Sequence, residues 1–327
     1  MSTEKSLDGT GEKASDGASA LPPVALIAGP TASGKSDCAV RLALALAERA
    51  RPAMVINADS AQLYADLRVI SARPSPEEMR GVQHLLFGTW DGAQPCSATD
   101  WAAAARAEIT RAHGQGAVPI LVGGTGLYIR TLLDGIAPVQ PIDPDVRAAV
   151  RALPVAEAHA ALLREDPERA ATLAPADSAR IARALEVVRA TGRPLAAWQA
   201  ERSGGIGGQI ALHPLVLLPE RDWLYTRCDA RFTQMLGHGA IAEVEALLAR
   251  ALDPALPVMR AIGVAEIAGY LRGAWPLDQA QARGAQATRN YAKRQLTWLR
   301  HQTPAGWPRI NPEGSNPLAA FATLLRN

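Results

Sequence analysis

Apolar and polar positions alternate along the first part of the chain in blocks that predict strands and helices in turn. Short apolar runs of strand length occupy 24–28, 53–58 and 117–122, each flanked by glycine, proline or polar residues. Between them, stretches that end near Arg49 and His113 carry alanine, leucine and arginine with helical spacing. Strands that alternate with helices predict a parallel sheet with right-handed crossovers. We therefore predict an α/β core.

The pattern changes after residue 137, where Pro138, Pro141 and Pro144 punctuate a linker. Residues 145–200 then show only helical spacing, and 210–218 returns to a strand pattern that we expect to rejoin the first sheet. This order predicts a helical domain inserted into the core, with a mostly helical carboxyl-terminal region. The predicted divisions are a flexible tail over 1–20, the first part of the core over 21–137, the insertion over 138–205 and the second part of the core over 206–327.

The strand at 24–28 leads directly into a glycine-rich loop and then a helix, the context that a phosphate-binding P-loop requires. Backbone N–H groups in such a loop, together with the positive end of the helix, surround an anion. Lys35 brings a mobile charge to the outermost phosphate, and the Ser36 hydroxyl suits Mg²⁺ as a metal ligand. A P-loop NTPase-like core that binds a di- or triphosphate is therefore expected. The loop residues are Gly29, Pro30, Thr31, Ala32, Ser33, Gly34, Lys35 and Ser36.

Two further polar residues follow predicted strands and are expected at the same edge of the sheet as the P-loop. Asp59 is suited either to hold Mg²⁺ through water or to remove a proton from an acceptor. The alternative is that Asp59 caps the next helix, a position that favours aspartate. Thr125, within Gly-Gly-Thr-Gly, offers a hydroxyl to a phosphate or a nucleobase, but a plain glycine-rich turn explains the same residues.

Composition narrows the class of protein. The 327 residues carry a formal net charge of +2 at pH 7, and 48% of them are hydrophobic, which supports a sizeable core. No apolar run has the length of a membrane span. The three cysteines are far apart, which fits a reducing compartment and argues against a disulfide framework or a zinc site. Because residues 1–20 are polar and contain no apolar segment, we expect a cytoplasmic protein without a signal peptide.

Any nucleic-acid surface must then be local, and the carboxyl-terminal third is the best candidate. Residues 221–309 hold twelve lysines and arginines against seven aspartates and glutamates. In the helix predicted over 283–301, Arg289, Lys293 and Arg300 fall within one narrow arc, which suits nucleic-acid phosphates but is also typical of a solvated face. The same two interpretations apply to three arginines of the insertion, namely Arg180, Arg183 and Arg189.

Two classes of enzyme fit these features. A small-molecule kinase would use ATP at the P-loop and hold a metabolite as the acceptor. A transferase acting on a polynucleotide would use the P-loop for a different phosphorylated donor, and the helical insertion and the basic carboxyl-terminal third favour this class. The P-loop alone does not separate the two.

Seven motifs stand in order along the chain and are more specific together than any of them alone. They are Gly-Pro-Thr-Ala-Ser-Gly-Lys-Ser at 29–36, Asp-Ser-Ala-Gln-Leu-Tyr at 59–64, Val-Gly-Gly-Thr-Gly-Leu-Tyr at 122–128, Arg-Ala-Leu-Glu at 183–186, Thr-Gly-Arg-Pro-Leu at 191–195, Ala-Ile-Gly at 261–263 and Thr-Arg-Asn-Tyr-Ala-Lys-Arg-Gln-Leu-Thr-Trp-Leu-Arg at 288–300. Together they resemble the tRNA dimethylallyltransferase (tRNA isopentenyltransferase) family over nearly the whole chain after the tail.

The resemblance implies prenyl transfer. In the family, dimethylallyl diphosphate donates its five-carbon group to N6 of the adenine at tRNA position 37, beside the anticodon, and diphosphate leaves. The P-loop would then hold this donor with Mg²⁺, with Lys35 on the diphosphate, and no ATP is used. Asp59 matches the family's general base, and Thr125 matches a threonine near the acceptor and the diphosphate. Arg227 and Arg231 lie in a stretch that resembles the diphosphate-contacting arginine region, and the sequence does not decide between them.

The resemblance also implies that the anticodon stem-loop of tRNA lies between the core and the insertion of an enzyme that we expect to be a monomer. The family pattern is altered at 71–74, where Ser-Ala-Arg-Pro replaces Thr-Ala-Lys-Pro, and Ala179 replaces a glutamine. Because the catalytic positions are intact, we expect an active enzyme. The implied tRNA contacts are Asp59, Ser60, Ala61, Gln62, Thr125, Arg147, Ala179, Arg180, Ile181, Ala182, Arg183, Arg289, Lys293, Arg294 and Arg300.

Overall fold

The computed structural model describes residues 21–326 and contains a six-stranded parallel sheet in the order β3-β2-β4-β1-β5-β6. The predicted α/β class, with a P-loop NTPase-like sheet and a helical insertion, is confirmed. The tail predicted over 1–20 lies outside the described residues. The strands are β1 (Pro23–Ala28), β2 (Ala53–Asn57), β3 (Gln83–Leu85), β4 (Val118–Gly123), β5 (Ala211–Leu217) and β6 (Arg309–Ile310).

Helices cover both faces of this sheet and form the insertion. Several begin at strong local signals, such as the capping box in which Ser97 and Asp100 satisfy each other's backbone N–H groups at the start of α3. The helices are α1 (Lys35–Ala47), α2 (Pro76–Met79), α3 (Ala98–Gly114), α4 (Gly126–Asp134), α5 (Pro144–Ala152), α6 (Val155–Glu165), α7 (Pro167–Ala171), α8 (Ser178–Thr191), α9 (Leu195–Ala200), α10 (Arg221–Gly237), α11 (Ala240–Ala249), α12 (Val264–Leu271), α13 (Leu277–Gln302) and α14 (Ala322–Arg326).

The central strands are buried on both faces, as the apolar runs predict for a parallel sheet. Side chains of β1 alternate between two cores, so Ile27 faces α1 and α14 while Leu26 faces α3 and α4. Both side chains are fully buried. The polar carboxyl ends of β1, β2 and β4 are thereby fixed side by side at one edge of the sheet.

The structure differs from the sequence-based prediction at the two ends of the sheet. The edge strands β3 and β6 are missing from that prediction because they are three and two residues long and only partly buried. The helix predicted over 283–301 is longer and extends over Leu277–Gln302. Three tryptophans, Trp198, Trp298 and Trp307, each lie against a hydrophobic core.

The helical insertion, α5 to α9, has a small hydrophobic core of its own. This core joins Val150, Leu162, Ile181 and Leu185 with several alanines. The segments that lead into and out of the insertion are joined by two backbone hydrogen bonds between Ile136 and Ser203, both of 3.1 Å. The insertion is therefore a separately packed unit on a narrow neck.

The carboxyl-terminal helices form a layer beside the P-loop. Long helices α10 and α13 pack closely, because Gly284 leaves room for the ring of Phe232; a Cβ at Gly284 would lie 1.9 Å from Cζ of that ring. At its other end, α13 packs on α4, where Gly126 accommodates the indole of Trp298. Helix α13 therefore runs across the edge of the sheet where the polar strand ends meet.

Candidate active site

The P-loop forms a cradle between β1 and α1. Gly34 has φ of 86°, a left-handed conformation that glycine adopts without strain, and Ala32 has φ of 62°. No side chain caps the amino end of α1. Its first N–H groups are therefore available to an anion, beside the side chains of Lys35 and Ser36 in the wall of the adjacent cavity.

Lys35 is buried at the base of this cradle. Its Nζ lies 3.3 Å from the carbonyl oxygen of Pro30 and 3.8 Å from Oδ2 of Asp59. Burial lowers the pKa of the Lys35 ammonium, and the nearby Asp59 carboxylate opposes that shift while Arg231 adds to it. An anion in the cradle would stabilise the charged ammonium and relieve its desolvation.

Asp59 is held rigidly at the end of β2. Its backbone N–H donates to Oδ1 of Asn57 at 2.8 Å, and its own Oδ1 accepts from the N–H of Ala61 at 3.1 Å. The other carboxylate oxygen, Oδ2, faces Lys35. Both interpretations of this residue from the sequence therefore have a counterpart in the structure: one oxygen caps a short turn, and the second is directed into the cavity.

Thr125 joins this group from the end of β4. Its Oγ1 accepts from the N–H of Ser60 at 3.0 Å, and its N–H donates to the carbonyl of Ala58 at 3.2 Å. Tyr291 of α13 lies beside Thr125 and Ser60; burial raises the pKa of its hydroxyl, and the Asp59 charge adds to that effect. Strands β2 and β4 and helix α13 therefore converge on one polar point.

Arg227 and Arg231, one turn apart on α10, approach the P-loop from the other side. Arg227 Nε donates to the carbonyl oxygen of Ala32 at 2.9 Å, and its guanidinium lies 4.6 Å from the centre of the Trp223 ring. Burial lowers the pKa of Arg231, and the neighbouring charge of Arg227 contributes. Both arginines line the same cavity, so the structure brings both to the predicted diphosphate position.

The cavity that these residues share has a volume of about 480 Å³. Its cationic wall contains Lys35, Arg227, Arg231 and Arg294. An apolar wall completes it, formed by Ile70, Phe232, Met235, Pro257 and Ile262. A ligand with a multiply charged anionic end and a small apolar end fits this division of surfaces.

The residues predicted to contact tRNA from the second motif lie at this cavity, but one of them is engaged. Ser60 and Ala61 line the cavity with Asp59. The Gln62 side chain is 6% exposed, and its amide donates to the carbonyls of Ser71 and Ala72 at 3.1 and 2.7 Å. Gln62 therefore holds the altered 71–74 segment in place.

In the insertion, Arg147 and Arg180 are exposed on α5 and α8, and Arg180 pairs with Asp177 at 2.8 Å. A second cavity, of about 440 Å³, opens between the insertion and the core. Ala179, Ala182 and Arg183 line it on the insertion side, and Arg260 reaches it from the core.

Ile181 differs from its neighbours on α8. The side chain is fully buried in the core of the insertion, in the same cluster as Leu162 and Leu185. The Ile181 side chain therefore supports the helix from inside, and the expected contact of this residue with tRNA stays a prediction that its backbone would have to fulfil. A contiguous motif on a helix distributes its residues over both faces.

The basic residues of α13 are also not equivalent. Lys293, Arg294 and Arg300 are exposed, and Arg294 additionally lines the first cavity. Arg289 instead pairs with Asp229 of α10 and donates to Gln286 at 2.7 Å. The arc predicted from the sequence exists, but one of its three charges is already compensated.

Comparison with known proteins decides the family. The sequence model of the family described as IPP transferase matches residues 62–302. A tRNA dimethylallyltransferase of Erythrobacter litoralis is 69% identical over 289 residues, which cover 88% of this chain and 91% of the relative. The chain belongs to the IPP transferase family. A second tRNA dimethylallyltransferase, from Novosphingobium aromaticivorans, is 67% identical over 85% of this chain and 99% of its own length.

Solved structures agree with this assignment. A full-length tRNA isopentenylpyrophosphate transferase from Bacillus halodurans superposes with a TM-score of 0.65 at 32% identity, covering 93% of this chain and 94% of that one. A eukaryotic dimethylallyltransferase acting on tRNA gives 0.72 at 27% identity, over 85% and 70% of the two chains. The family resemblance found in the seven motifs is confirmed, and with it the expectation of a transferase. Over residues 21–326, no helix is long and apolar enough to span a membrane.

Two residues of this IPP transferase site were given no role by the sequence. Tyr291 and Gln295 stand in the 288–300 motif, in which the predicted roles belong to basic residues. They are four residues apart, so they share the helix face directed at the strand ends, Tyr291 at Thr125 and Gln295 at Gly124. The four-residue spacing of Tyr291 and Gln295, on the helix face opposite the arc of charges, is the sequence feature that indicates a role for both.

Proposed function

We propose that this protein transfers a dimethylallyl group from dimethylallyl diphosphate to N6 of the adenine at position 37 of tRNA, releasing diphosphate. The observation that carries the proposal is the shared cavity. The P-loop cradle, the Asp59 carboxylate and an apolar wall of small-ligand size face the same space. Family membership supplies the reaction class, and this cavity supplies a place for both ends of the donor.

The anionic end of the donor is suited to the P-loop. Its free N–H groups and the Lys35 ammonium would contact the diphosphate, and Arg231 would approach from α10. Negative charge grows on the diphosphate oxygens as the carbon–oxygen bond breaks, so donors fixed in advance around it stabilise the transition state. The dimethylallyl end would lie against the apolar wall, with Phe232 and Ile70.

The residues present fit a magnesium ion with the diphosphate. The Ser36 hydroxyl lines the cavity, and it is a hard oxygen donor of the kind that Mg²⁺ prefers. Residues 21–326 contain no cluster of three histidine, cysteine or carboxylate ligands, which agrees with an ion bound largely through phosphate oxygens and water. Bound there, Mg²⁺ would supply charge neutralisation to the leaving diphosphate.

On the acceptor side, Asp59 would take a proton from N6. The adenine amino group is a poor nucleophile because its lone pair is delocalised into the ring. As the new carbon–nitrogen bond forms and the carbon–oxygen bond to diphosphate breaks, the N6 proton passes to Oδ2 of Asp59. The stacked base has to leave the anticodon loop to reach this cavity, as enzymes that act on bases require.

A labelled-donor assay tests the proposal. Purified protein, Mg²⁺, labelled dimethylallyl diphosphate and tRNA that lacks the modification are combined without ATP. We expect label in tRNA at adenine 37. No transfer, together with ATP-dependent phosphorylation of a metabolite pool, would assign the P-loop to a kinase and overturn the proposal.

Sedimentation of the active sample checks whether the protein is the expected monomer. The cytoplasmic location stays a prediction.

A further inference from the structure

Gln295 makes two hydrogen bonds that connect distant parts of the site. Its Oε1 accepts from the backbone N–H of Thr31 in the P-loop at 2.7 Å, and its Nε2 donates to the carbonyl oxygen of Gly124 at 3.1 Å. The side chain is 5% exposed. One buried amide of α13 therefore bridges the loop after β1 and the loop after β4.

Only a side chain with both a donor and an acceptor can make this bridge. A carboxylate accepts from Thr31 but places a second lone pair against the Gly124 oxygen, and a hydrocarbon leaves both buried backbone groups unpaired. The fit is close: a Cβ at Gly124 would lie 2.4 Å from Nε2 of Gln295 and 2.5 Å from the carbonyl oxygen of Gly29. The two loops and the amide therefore have little freedom to shift.

The bridged loops serve opposite halves of the reaction. The P-loop lines the cavity where the donor diphosphate would lie, and the loop after β4 carries Thr125, whose Oγ1 accepts from the N–H of Ser60, the residue that follows Asp59. Because Gln295 occupies the Thr31 N–H, that group is a structural contact and is removed from the set of phosphate donors predicted from the P-loop motif.

We propose that Gln295 is a positioning residue that sets the separation of the donor cradle from the acceptor base. The inference rests on the proposed transfer reaction. Helix α13 also carries the exposed Lys293 and Arg294, so the same helix that presents charge to solvent holds the reacting groups in register. A small shift of either half would cost rate steeply, since misplacement of about 1 Å can cost about 100-fold.

The test uses Gln295→Met, which preserves length but removes the donor and the acceptor, and Gln295→Glu, which keeps an acceptor. Gln302→Met is the matched control, because Gln302 of the same helix is exposed and accepts only from Arg130. For Gln295→Met we expect a single-turnover transfer rate about 10- to 100-fold below wild type. Affinity for inorganic diphosphate should also fall, while tRNA affinity stays within about twofold.

For Gln295→Glu, activity relative to wild type at the same pH should rise as the pH falls. Burial raises the pKa of a carboxyl group, and once protonated the group can again both donate and accept. A purely structural role would lower thermal stability and activity together and leave the diphosphate affinity of the folded protein unchanged, so thermal stability and diphosphate affinity are measured at each pH. Gln295→Met with wild-type rate and diphosphate affinity, or Gln295→Glu with a flat activity ratio, would overturn the proposal.

The outcome is separable from that of the function itself. If wild type transfers no label to tRNA, the proposed reaction fails. The affinities of wild type, Gln295→Met and Gln302→Met for inorganic diphosphate, measured by calorimetry, still report on the bridge. Equal affinities in all three proteins would then count against Gln295.

Discussion

The edge of the sheet and the helical insertion use their polar groups in opposite ways. At the edge, the strand ends bind one another: the N–H of Gly29 donates to Gly123 at 3.1 Å, and that of Thr125 donates to Ala58 at 3.2 Å. On the insertion, charged side chains pair at the surface, as Arg189 does with Glu165 and Arg193 with Glu201. One region is a fixed network, and the other is a solvated face.

The difference separates two tasks. Chemistry needs donors and a base that do not reorganise during reaction, and buried contacts at the strand ends provide that. Binding a long polyanion needs charges that can exchange partners, and exposed ion pairs are weak enough to do so, at about 0–1 kcal/mol each. Substitutions at the edge of the sheet should therefore affect the transfer rate or the affinity for the donor, whereas substitutions in the insertion should affect the affinity for tRNA.

Asp59→Asn should produce the largest effect. Asparagine can still accept from the N–H of Ala61, so the turn remains capped, but it cannot take the N6 proton. We expect a fall of about 10²- to 10⁴-fold in the single-turnover rate, the range for loss of a general base. The affinity for tRNA, measured by filter binding, should be unchanged. Asp278→Asn, in the exposed first turn of α13, is the control. Equal losses of rate and tRNA affinity would contradict the general-base role.

Ile181→Ala should show that the insertion can lose stability independently of the core. Removing this fully buried side chain is expected to destabilise the insertion by about 2–5 kcal/mol. Hydrogen exchange should then accelerate in α5 to α8 but not in β1 or β4, with weaker tRNA binding and unchanged affinity for inorganic diphosphate. Leu163→Ala, at a side chain that is 47% exposed, is the matched control. Accelerated exchange throughout the sheet would show that the two regions unfold together.

Lys35→Met should weaken binding of inorganic diphosphate by about 10- to 100-fold, since a hydrogen bond to a charged group is worth about 1.5–3 kcal/mol. The effect should depend on pH. Burial lowers the pKa of Lys35, so the free ammonium loses its proton at a lower pH than an ordinary lysine does. The advantage of wild type over Lys35→Met should therefore shrink as the pH rises. Calorimetry across alkaline pH measures this ratio, and a ratio independent of pH in that range would contradict the predicted shift.

The edge of the sheet could be predicted well because its chemistry lies in contiguous motifs that directly follow apolar strands. Gly34, Lys35 and Asp59 each stand next to a strong structural signal, and the parallel sheet brings such strand ends together. Gln295 lies 264 residues from Thr31, to which it bonds. No local pattern links two such positions, because their contact depends on how α13 crosses the finished sheet.

The insertion was predicted less completely, for a different reason. Its helical pattern was clear, but a motif such as Arg-Ile-Ala-Arg at 180–183 distributes residues around a whole helix. Ile181 therefore faces the core while Arg180 and Arg183 face outward. Which surface charges are already paired, as Arg289 is with Asp229, depends on a neighbouring helix and is absent from the sequence pattern.

Lys293→Ala and Arg289→Ala should have the smallest effects. Together they show which charges of the arc on α13 contact tRNA. Lys293 is exposed, and each phosphate contact contributes about 0.7–0.9 to the slope of log affinity against log salt. We expect Lys293→Ala to weaken tRNA binding a few-fold, by about 1 kcal/mol or less, and to reduce that slope by nearly one contact. Arg289→Ala should reduce it less, because Arg289 would first have to leave Asp229 and Gln286.

Binding titrations at several salt concentrations measure the slopes. Equal reductions would mean that the Arg289–Asp229 pair opens when tRNA binds, in which case Asp229→Asn should strengthen binding by freeing the guanidinium. An unchanged slope in both variants would make the arc a solvated face and leave tRNA recognition to the insertion. The comparison between Lys293, which is exposed, and Arg289, which is paired, therefore decides whether α13 only supports the buried network at the edge of the sheet or also binds tRNA through exchangeable surface charges.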